Sequence, residues 1–466
     1  MPKRVPLCRM TRDLVAVASG RRVADLVIRN GSWVNVYSGE VIASTTIAVF
    51  GCRIAYCGPD RSEFIGPDTT VIDADGRLLV PGLLDAHVHI ESSMLCVRGF
   101  AASALSHGTT GAFIDPHEIA NVLGLDGVRL MAEEALTTAM QIYVQVPSCV
   151  PAAPGLETSG ASLGPRDIAE ALSWDNIIGL GEVMNYPGVV AGDKDLHAEI
   201  AETLKAGKVV GGHYASPDLG LPFHAYAAGG PSDCHEGTRS EDVLARVRQG
   251  MYAILRQGSS EHNVAAQAAA ITEGGIDPRH TLLCTDDRHP STLLSAGHMD
   301  DVVRLAIAEG IPPITAIQMA TLNTAEHFGV ANDVGSIGPG RFADILIVSD
   351  LETLAIDCVL AAGDVVAEGG TSSVSIGSFQ YPESANSSVK IPEKLTADNF
   401  RIPGPSGCDS VTCRVIEIVE DQVLTACVLD DIPVADGMLA PSMDSGISFL
   451  SVVDRHSGSG LSLIHI

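Results

Sequence analysis

VIDADGRLLVPGLLDAHVHIESSML, Val71 to Leu95, contains the text that decides the fold. The apolar run VPGLL ends in the polar sequence DAHVHI, Asp85 to Ile90. In a strand, residues i and i+2 share a face, so His87 and His89 point together and are placed to hold one metal. Both follow a buried-type run, at the strand end where (β/α)8 barrels keep their active sites.

Working outward, the same pattern recurs along the chain. Strand-like apolar runs ending in polar residues alternate with stretches of helical spacing such as LDGVRLMAEEALTTA, Leu125 to Ala139, which signals βα units around a parallel sheet. We place the eight strand ends near His87, Asp115, Pro147, Glu182, His213, His235, Gly258 and Asp286, at steps of 28, 32, 35, 31, 22, 23 and 28 residues. A closed barrel of ~250 residues predicts about 31 per unit. The spacing fits a barrel, and by itself it is also compatible with an open sheet. Glu182 follows NIIGLG, His213 follows KVVGG, His235 ends a short strand and Asp286 follows TLLCT. A carboxylate after a buried apolar run is costly unless paired or bound to a cation.

On either side of the barrel the text reads differently. Residues Ala24 to Leu79 alternate in short strands broken by Asn-Gly, Ser-Gly and Cys-Gly, a hairpin pattern. After a last helix, Ile314 to Phe328, DVGSIGPGRFADILIVSD returns to strands. The fold class expected is thus α/β, a (β/α)8 TIM-like barrel inserted in a small β-sandwich, plus a partial C-terminal β-rich domain. The expected bounds are residues 1–78 and 330–372 for the sandwich, 79–329 for the barrel, and 373–466 for a linker and the C-terminal domain. Residues Ser373 to Pro403 are rich in Ser, Pro and Asn, and Asp409 to Val453 resume alternating strands. The ending SGSGLSLIHI follows a β pattern with no closing element and reads as a chain cut short.

Bulk properties narrow the function classes. A chain of 466 residues exceeds one compact core, and a formal charge of −28 disfavours nucleic acid or an anionic membrane surface as partner. Eleven cysteines, none in a CxxC pair, disfavour a disulfide framework or zinc ribbon and favour a reducing, cytoplasmic setting. Cys52/Cys57 and Cys408/Cys413 repeat a CxxxxC spacing without a histidine cluster beside them. Asp13 and the lack of a long apolar core make the basic N-terminus a poor secretory signal, while a transit peptide stays open. No apolar run approaches the ~18 residues of a membrane span.

The longer text resembles a known family. VIDADGRLLVPGLLDAHVHIESSML is similar to the signature of the amidohydrolase superfamily. The stretches GTTGAFIDPHEIANVLG, ETSGASL, GLGEVMNYPGVV, GMYAILRQGS, CTDDRHP and MATLNTAEHFG resemble its adenine-deaminating branch, from about Ala24 to Asp350. The resemblance implies two divalent metal ions, manganese first, with iron and zinc as alternatives. His87, His89 and Asp286 would hold the first and His213 and His235 the second, with Glu182 as the bridge in place of the carboxylated lysine of many relatives. The implied reaction is hydrolytic deamination of adenine to hypoxanthine and ammonia, a metal-activated hydroxide attacking C6, in purine salvage. Asp286 is the first candidate for the proton-shuttling carboxylate. Glu236 is the second, with strand alternation leaving open that its side chain points away.

His117, Glu118 and Glu91 are candidate contacts to the purine, beside Asp115. Asp-Pro-His-Glu is also a good helix start, so capping is the competing role. Asp287, Arg288 and His289 either orient Asp286 or form a plain surface loop. His107, His197, His224, His262, His280, His298 and His327 receive no role. The family pattern carries Asp-Gly-His where this chain has Gly211-Gly212-His213, and commonly an Asp where it has Cys234. Family members also continue beyond this chain's end, into a histidine- and aspartate-rich stretch without counterpart here. A homodimer is the expected assembly. The competing readings are another amidohydrolase acting on a cyclic amide or aminopurine, and a non-catalytic scaffold.

Overall fold

The computed structural model describes residues 4–391, 395–420, 422, 425–456, 458 and 460–462. Eight parallel strands follow one another along its central part. They are β1 (Leu83–His89), β2 (Thr109–Ile114), β3 (Gln141–Val146), β4 (Ile177–Val183), β5 (Val209–Gly212), β6 (Asp233–Cys234), β7 (Tyr252–Arg256) and β8 (Thr281–Cys284). Each ends within two residues of the position read from the spacing. Every residue of β1, β2 and β8 is buried. Helices cover one side of each strand and the barrel interior the other, so the period-2 polar alternation disappears and near-continuous apolar runs take its place.

Ladder bonds join β5, β4, β3, β2 and β1 in that order, and β6, β7 and β8 in a second run. Two seams close the ring. At the first, the Ser232 N–H donates to Val210 O at 2.9 Å and the Gly212 N–H to Asp233 Oδ1 at 3.0 Å. At the second, β8 passes through Thr285 into Asp286–Asp287, which pairs in parallel with β1 in the register Asp286↔Val88.

The flanking segments form one nine-stranded sheet. Leu78–Pro81, just before the barrel, pairs in parallel with Leu26–Asn35 on one side and antiparallel with Ile345–Val348, from beyond the barrel, on the other. The sheet curls on itself, because Ile54 N–H bonds Arg341 O at 2.9 Å and Ala343 N–H bonds Cys52 O at 2.9 Å. Its apolar interior gathers Ile28, Ile47, Ile54, Leu79, Ile345 and Leu360. The sandwich expected from the sequence is therefore built from a single rolled sheet.

Four details differ from the sequence reading. Asn30-Gly31 is a bulge inside Leu26–Asn35, with Asn30 at φ 56°, instead of a turn. Cys57-Gly58 lies within the strand Arg53–Pro59, and the reversal comes earlier at Gly51, φ 56°. The last helix is two, Pro313–Met319 and Leu322–His327, and a helix, Thr11–Ala18, precedes the first strand and buries Leu14 and Val17.

Beyond Ser372 the described residues carry no strand before Ser410 and one short α-helix, Glu383–Asn386. This segment lies on the barrel: Tyr381 OH donates to Glu134 Oε2, and Arg98 Nη1 to Ser378 O at 3.3 Å. Ser410–Ile418 and Thr425–Ala435 then pair antiparallel, their alternation matching a sheet with one face half-covered.

Candidate metal centre at the barrel mouth

His87 and His89 end β1 with both rings buried and their Nε2 atoms 3.0 Å apart. Nδ1 of His89 is engaged with the backbone oxygen of Asp115 at 2.8 Å, which fixes the ring and directs Nε2 into the mouth. Asp286 Oδ1 lies 3.3 Å from His89 Nε2 and 3.8 Å from His87 Nε2. Two imidazole nitrogens and a carboxylate oxygen thus converge on one point.

Glu182, near the end of β4, stands in the middle of the site. Its Oε1 is 3.5 Å from His89 Nε2, and its Oε2 is 3.0 Å from His235 Nε2 and in direct contact with His213 Nδ1. One carboxylate therefore touches both imidazole sets, Oε1 through His89 and Oε2 through His213 and His235, with His87 Nε2 also 3.9 Å from Oε2. The Asp115 side chain holds this strand end by accepting the Glu182 N–H at 2.8 Å. His235 stacks on His87 with centroids 4.0 Å apart, and its buried Nε2 makes no hydrogen bond. A buried imidazole nitrogen that faces carboxylate oxygens without an aligned hydrogen bond is natural in a metal ligand. Among the described residues, His87/His89/Asp286, His87/Glu182/His235 and His213/His235/Glu236 each bring their ligating atoms within 4.8 Å of one another, so the donor set fits divalent cations.

The electrostatics follow from burial among imidazoles. Burial alone would raise the carboxyls of Glu182 and Asp286. The nearby His213 holds Glu182 well below its ordinary value, and the hydrogen bond from His89, with His235 and Arg256, does so for Asp286. His87 is pushed well below the usual histidine range by burial and by the neighbouring rings of His235 and His89. The neutral imidazole is the form that binds a metal.

Glu236 turns into the site. Its Oε1 lies 3.6 Å from His235 Nε2 and 3.8 Å from His213 Nδ1, and Arg256 Nη1 donates to the same oxygen. His117 opens the helix His117–Leu123 and also reaches Glu182 Oε1 at 3.1 Å, so helix start and site residue are one and the same. Glu118 Oε2 is 3.7 Å from His89 Nδ1. Glu91 accepts the Ile119 N–H at 3.3 Å through Oε1 and leaves Oε2 buried without a hydrogen bond. Burial, with Glu118 beside it, pushes its carboxyl up to about 8. These side chains form an acidic wall on the β2 side of the mouth.

The loop after Asp286 divides. Arg288 turns away to pair with Asp301 at 3.0 Å and orients no ligand, whereas the Asp287 backbone oxygen accepts the Ser259 N–H at 2.8 Å. Cys234 receives Arg246 Nη2 and the Tyr214 N–H, each at 3.2 Å, so its thiol serves as a buried acceptor beside His235.

Three features escaped the sequence reading. His298 faces Asp85 Oδ2 at 3.3 Å under the β1–β8 seam, and His327 bonds Asp233 at 2.6 Å beside β6. Neither carries a local signal, since both partners are remote in the chain. Arg256, by contrast, ends the apolar run AIL as the ligands end theirs. The rule that singled out Glu182 applies to it equally.

The Amidohydrolase family model matches residues 78–366. An adenine deaminase of Mesorhizobium japonicum is 57% identical over 455 residues, covering 98% of this chain and 75% of the relative. An adenine deaminase of Moorella thermoacetica is 49% identical over 460 residues, covering 99% and 77%. Among solved structures, molinate hydrolase aligns with a TM-score of 0.57 at 15% identity, covering 77% of this chain and 98% of the other. A β-aspartyl dipeptidase of Fervidobacterium islandicum aligns with a TM-score of 0.56 at 18% identity, covering 75% and 98%, and at such identities the likeness concerns the fold. A barrel with imidazoles and carboxylates converging at its mouth, matched by these relatives along nearly its whole length, identifies the chain as a member of the amidohydrolase family, in the branch of the adenine deaminases.

Proposed function

We propose that this chain catalyses the hydrolytic deamination of adenine to hypoxanthine and ammonia. The observation that carries the reading is Glu182, whose carboxylate touches both imidazole sets. The relatives named adenine deaminase, at 49–57% identity, supply the substrate. His87, His89 and Asp286 would hold a first divalent cation and His213 and His235 a second, with Glu182 between them. Carboxylate and imidazole donors suit manganese, iron or zinc, and manganese is the proposed occupant. Bound there, the cations supply Lewis acidity that lowers the pKa of water from 15.7 towards about 7.

The chain's own residues then handle protons and position. A water oxygen forms a bond to C6, and one of its protons passes to a carboxylate, Asp286 or Glu236. That carboxylate delivers the proton to a ring nitrogen and then carries the second water proton from the C6 hydroxyl to the amino group, so that the C6–N bond breaks, the C6 carbonyl forms and ammonia departs. His117, Glu118 and Glu91 would contact the purine. A carboxyl kept protonated, as burial favours for Glu91, can donate to a ring nitrogen. The cysteines of the described residues are all unpaired, in keeping with a reducing cytoplasm, and a product such as hypoxanthine suits a role in purine salvage. A homodimer is the proposed assembly, to be checked by light scattering.

The test is turnover of adenine, adenosine, guanine, cytosine and hydantoin by the manganese-loaded chain. Adenine should be the preferred substrate. Inactivity on adenine with turnover of another aminopurine or a cyclic amide would overturn the reading, and fewer than one tightly bound metal per chain would favour a scaffold.

A further inference from the structure

Arg256 ends β7, a strand that supplies no candidate ligand, and its side chain is 1% exposed. Its Nη1 donates to Asp286 Oδ2 at 2.7 Å and to Glu236 Oε1. Both candidate proton carriers thus hang on one nitrogen. The other side of the guanidinium is anchored: Nε and Nη2 both donate to Asn263 Oδ1, at 3.3 and 3.2 Å. The Arg256 N–H donates to Gln267 Oε1 at 3.1 Å, and Gln267 Nε2 donates to the backbone of Gly237 at 2.6 Å, tying the strand to the residue after Glu236. Asp286 itself sits at φ 55°, a left-handed backbone that persists only where its surroundings over-determine it.

We infer that Arg256 is a positioning residue for the deamination proposed above, on which this inference rests: its Nη1 engages Asp286 Oδ2, so that Oδ1 alone faces His87 and His89, and the same nitrogen holds Glu236 over the same space. The planar fork matters as well as the charge. One edge is occupied by Asn263 and one nitrogen by two carboxylates, a division that a lysine ammonium on a flexible stem cannot reproduce. The bland alternative is a buried cation that merely neutralises two acids, and it predicts that any cation will serve.

The test uses the full chain loaded with manganese, as Arg256→Met and Arg256→Lys. Arg256→Met should lower kcat by about 10²-fold while KM for adenine stays within about threefold. Arg256→Lys should remain within a few-fold of the Met variant. In the Glu236→Gln background, Arg256→Met should cost less than in the wild type, because the two act together. A readout independent of activity is the visible absorption of the cobalt-loaded protein, which should change in both variants as Asp286 is freed to turn. Full activity in Arg256→Lys, costs that multiply independently in the cycle, or an unchanged cobalt spectrum would each overturn the inference. If Arg256→Met does not fold, the lysine variant, which keeps the charge, decides. A wild-type chain inactive on adenine would sink the proposed function instead, and the cobalt spectra would still decide on Arg256.

Discussion

Glu182 and Asp286 occupy different positions in the candidate site, and their amides should separate the roles. Glu182 is the only carboxylate placed between both imidazole sets among the described residues. Glu182→Gln removes the shared anion, so we expect bound metal to fall below half of wild type and turnover to fall with it, read by elemental analysis beside the adenine assay. Asp286 faces the metal ligands with one oxygen and Arg256 with the other. Asp286→Asn should reduce kcat by about 10²–10⁴-fold, the range of a lost acid–base group, while KM changes far less. Equal loss in kcat and in substrate binding would argue against a proton-carrying role.

At the scale of elements, the barrel depends on how its first and last strands meet. Asp85 on β1 accepts the Thr285 N–H at 3.1 Å and the Thr285 hydroxyl at 2.5 Å, and its Oδ1 also takes the His87 N–H at 3.3 Å. Asp85→Ala leaves these buried donors unsatisfied, at about 1–3 kcal/mol each. We expect a lower melting temperature and weaker metal retention, measured by calorimetry with and without manganese. A second element carries a pH signature. Glu199 lies buried on Lys194–Lys205, and burial, with Asp195, Asp193 and Asp167 nearby, pushes its carboxyl up to about 8.

The folded state therefore favours the protonated form of Glu199. Its contribution to stability is complete below the ordinary value of 4.5, declines as pH rises, and is lost above about 8. Glu199→Gln should match the wild type near pH 4.5 and exceed it increasingly up to pH 8, by about 2–4 °C in melting temperature. A constant difference across that range would count against the assignment.

For the whole molecule, the question is how the parts divide. We propose boundaries near residues 79, 330 and 373, with the barrel inserted in the rolled sheet and the C-terminal strands as a separate unit. The sheet strands Leu78–Pro81 and Ile345–Val348 are neighbours although the barrel lies between them in sequence, whereas the described residues of 373–403 make few anchoring bonds to the barrel beyond those of Tyr381 and Arg98. Limited proteolysis should therefore cut first between 373 and 403 and leave a fragment that keeps its metal. A first cut inside the barrel, or metal loss on cleavage, would contradict these boundaries. No helix of the described residues is long and apolar enough to cross a membrane.

The sequence by itself determined the succession of βα units and the polar residues at their strand ends, while closure of the ring came from the two seams of the structure. Strands buried on both faces are near-continuously apolar, so the polar residue after each run marks a strand end. Eight such marks at barrel spacing single out candidate ligands and fit a closed barrel, although the same spacing suits an open sheet. His87, His89, Glu182, His213, His235 and Asp286 were all legible in this way. What only the tertiary structure decided is orientation across distance. Strand alternation left Glu236 ambiguous, and its inward direction comes from Arg256, 20 residues further on. Asn30-Gly31 reads locally as a turn, yet pairing with Glu40–Phe50 absorbs it as a bulge. His298 and His327 carry no local pattern, because Asp85 and Asp233 lie 213 and 94 residues away. Local text reports burial and period; which buried polar groups meet is set by closure of the ring.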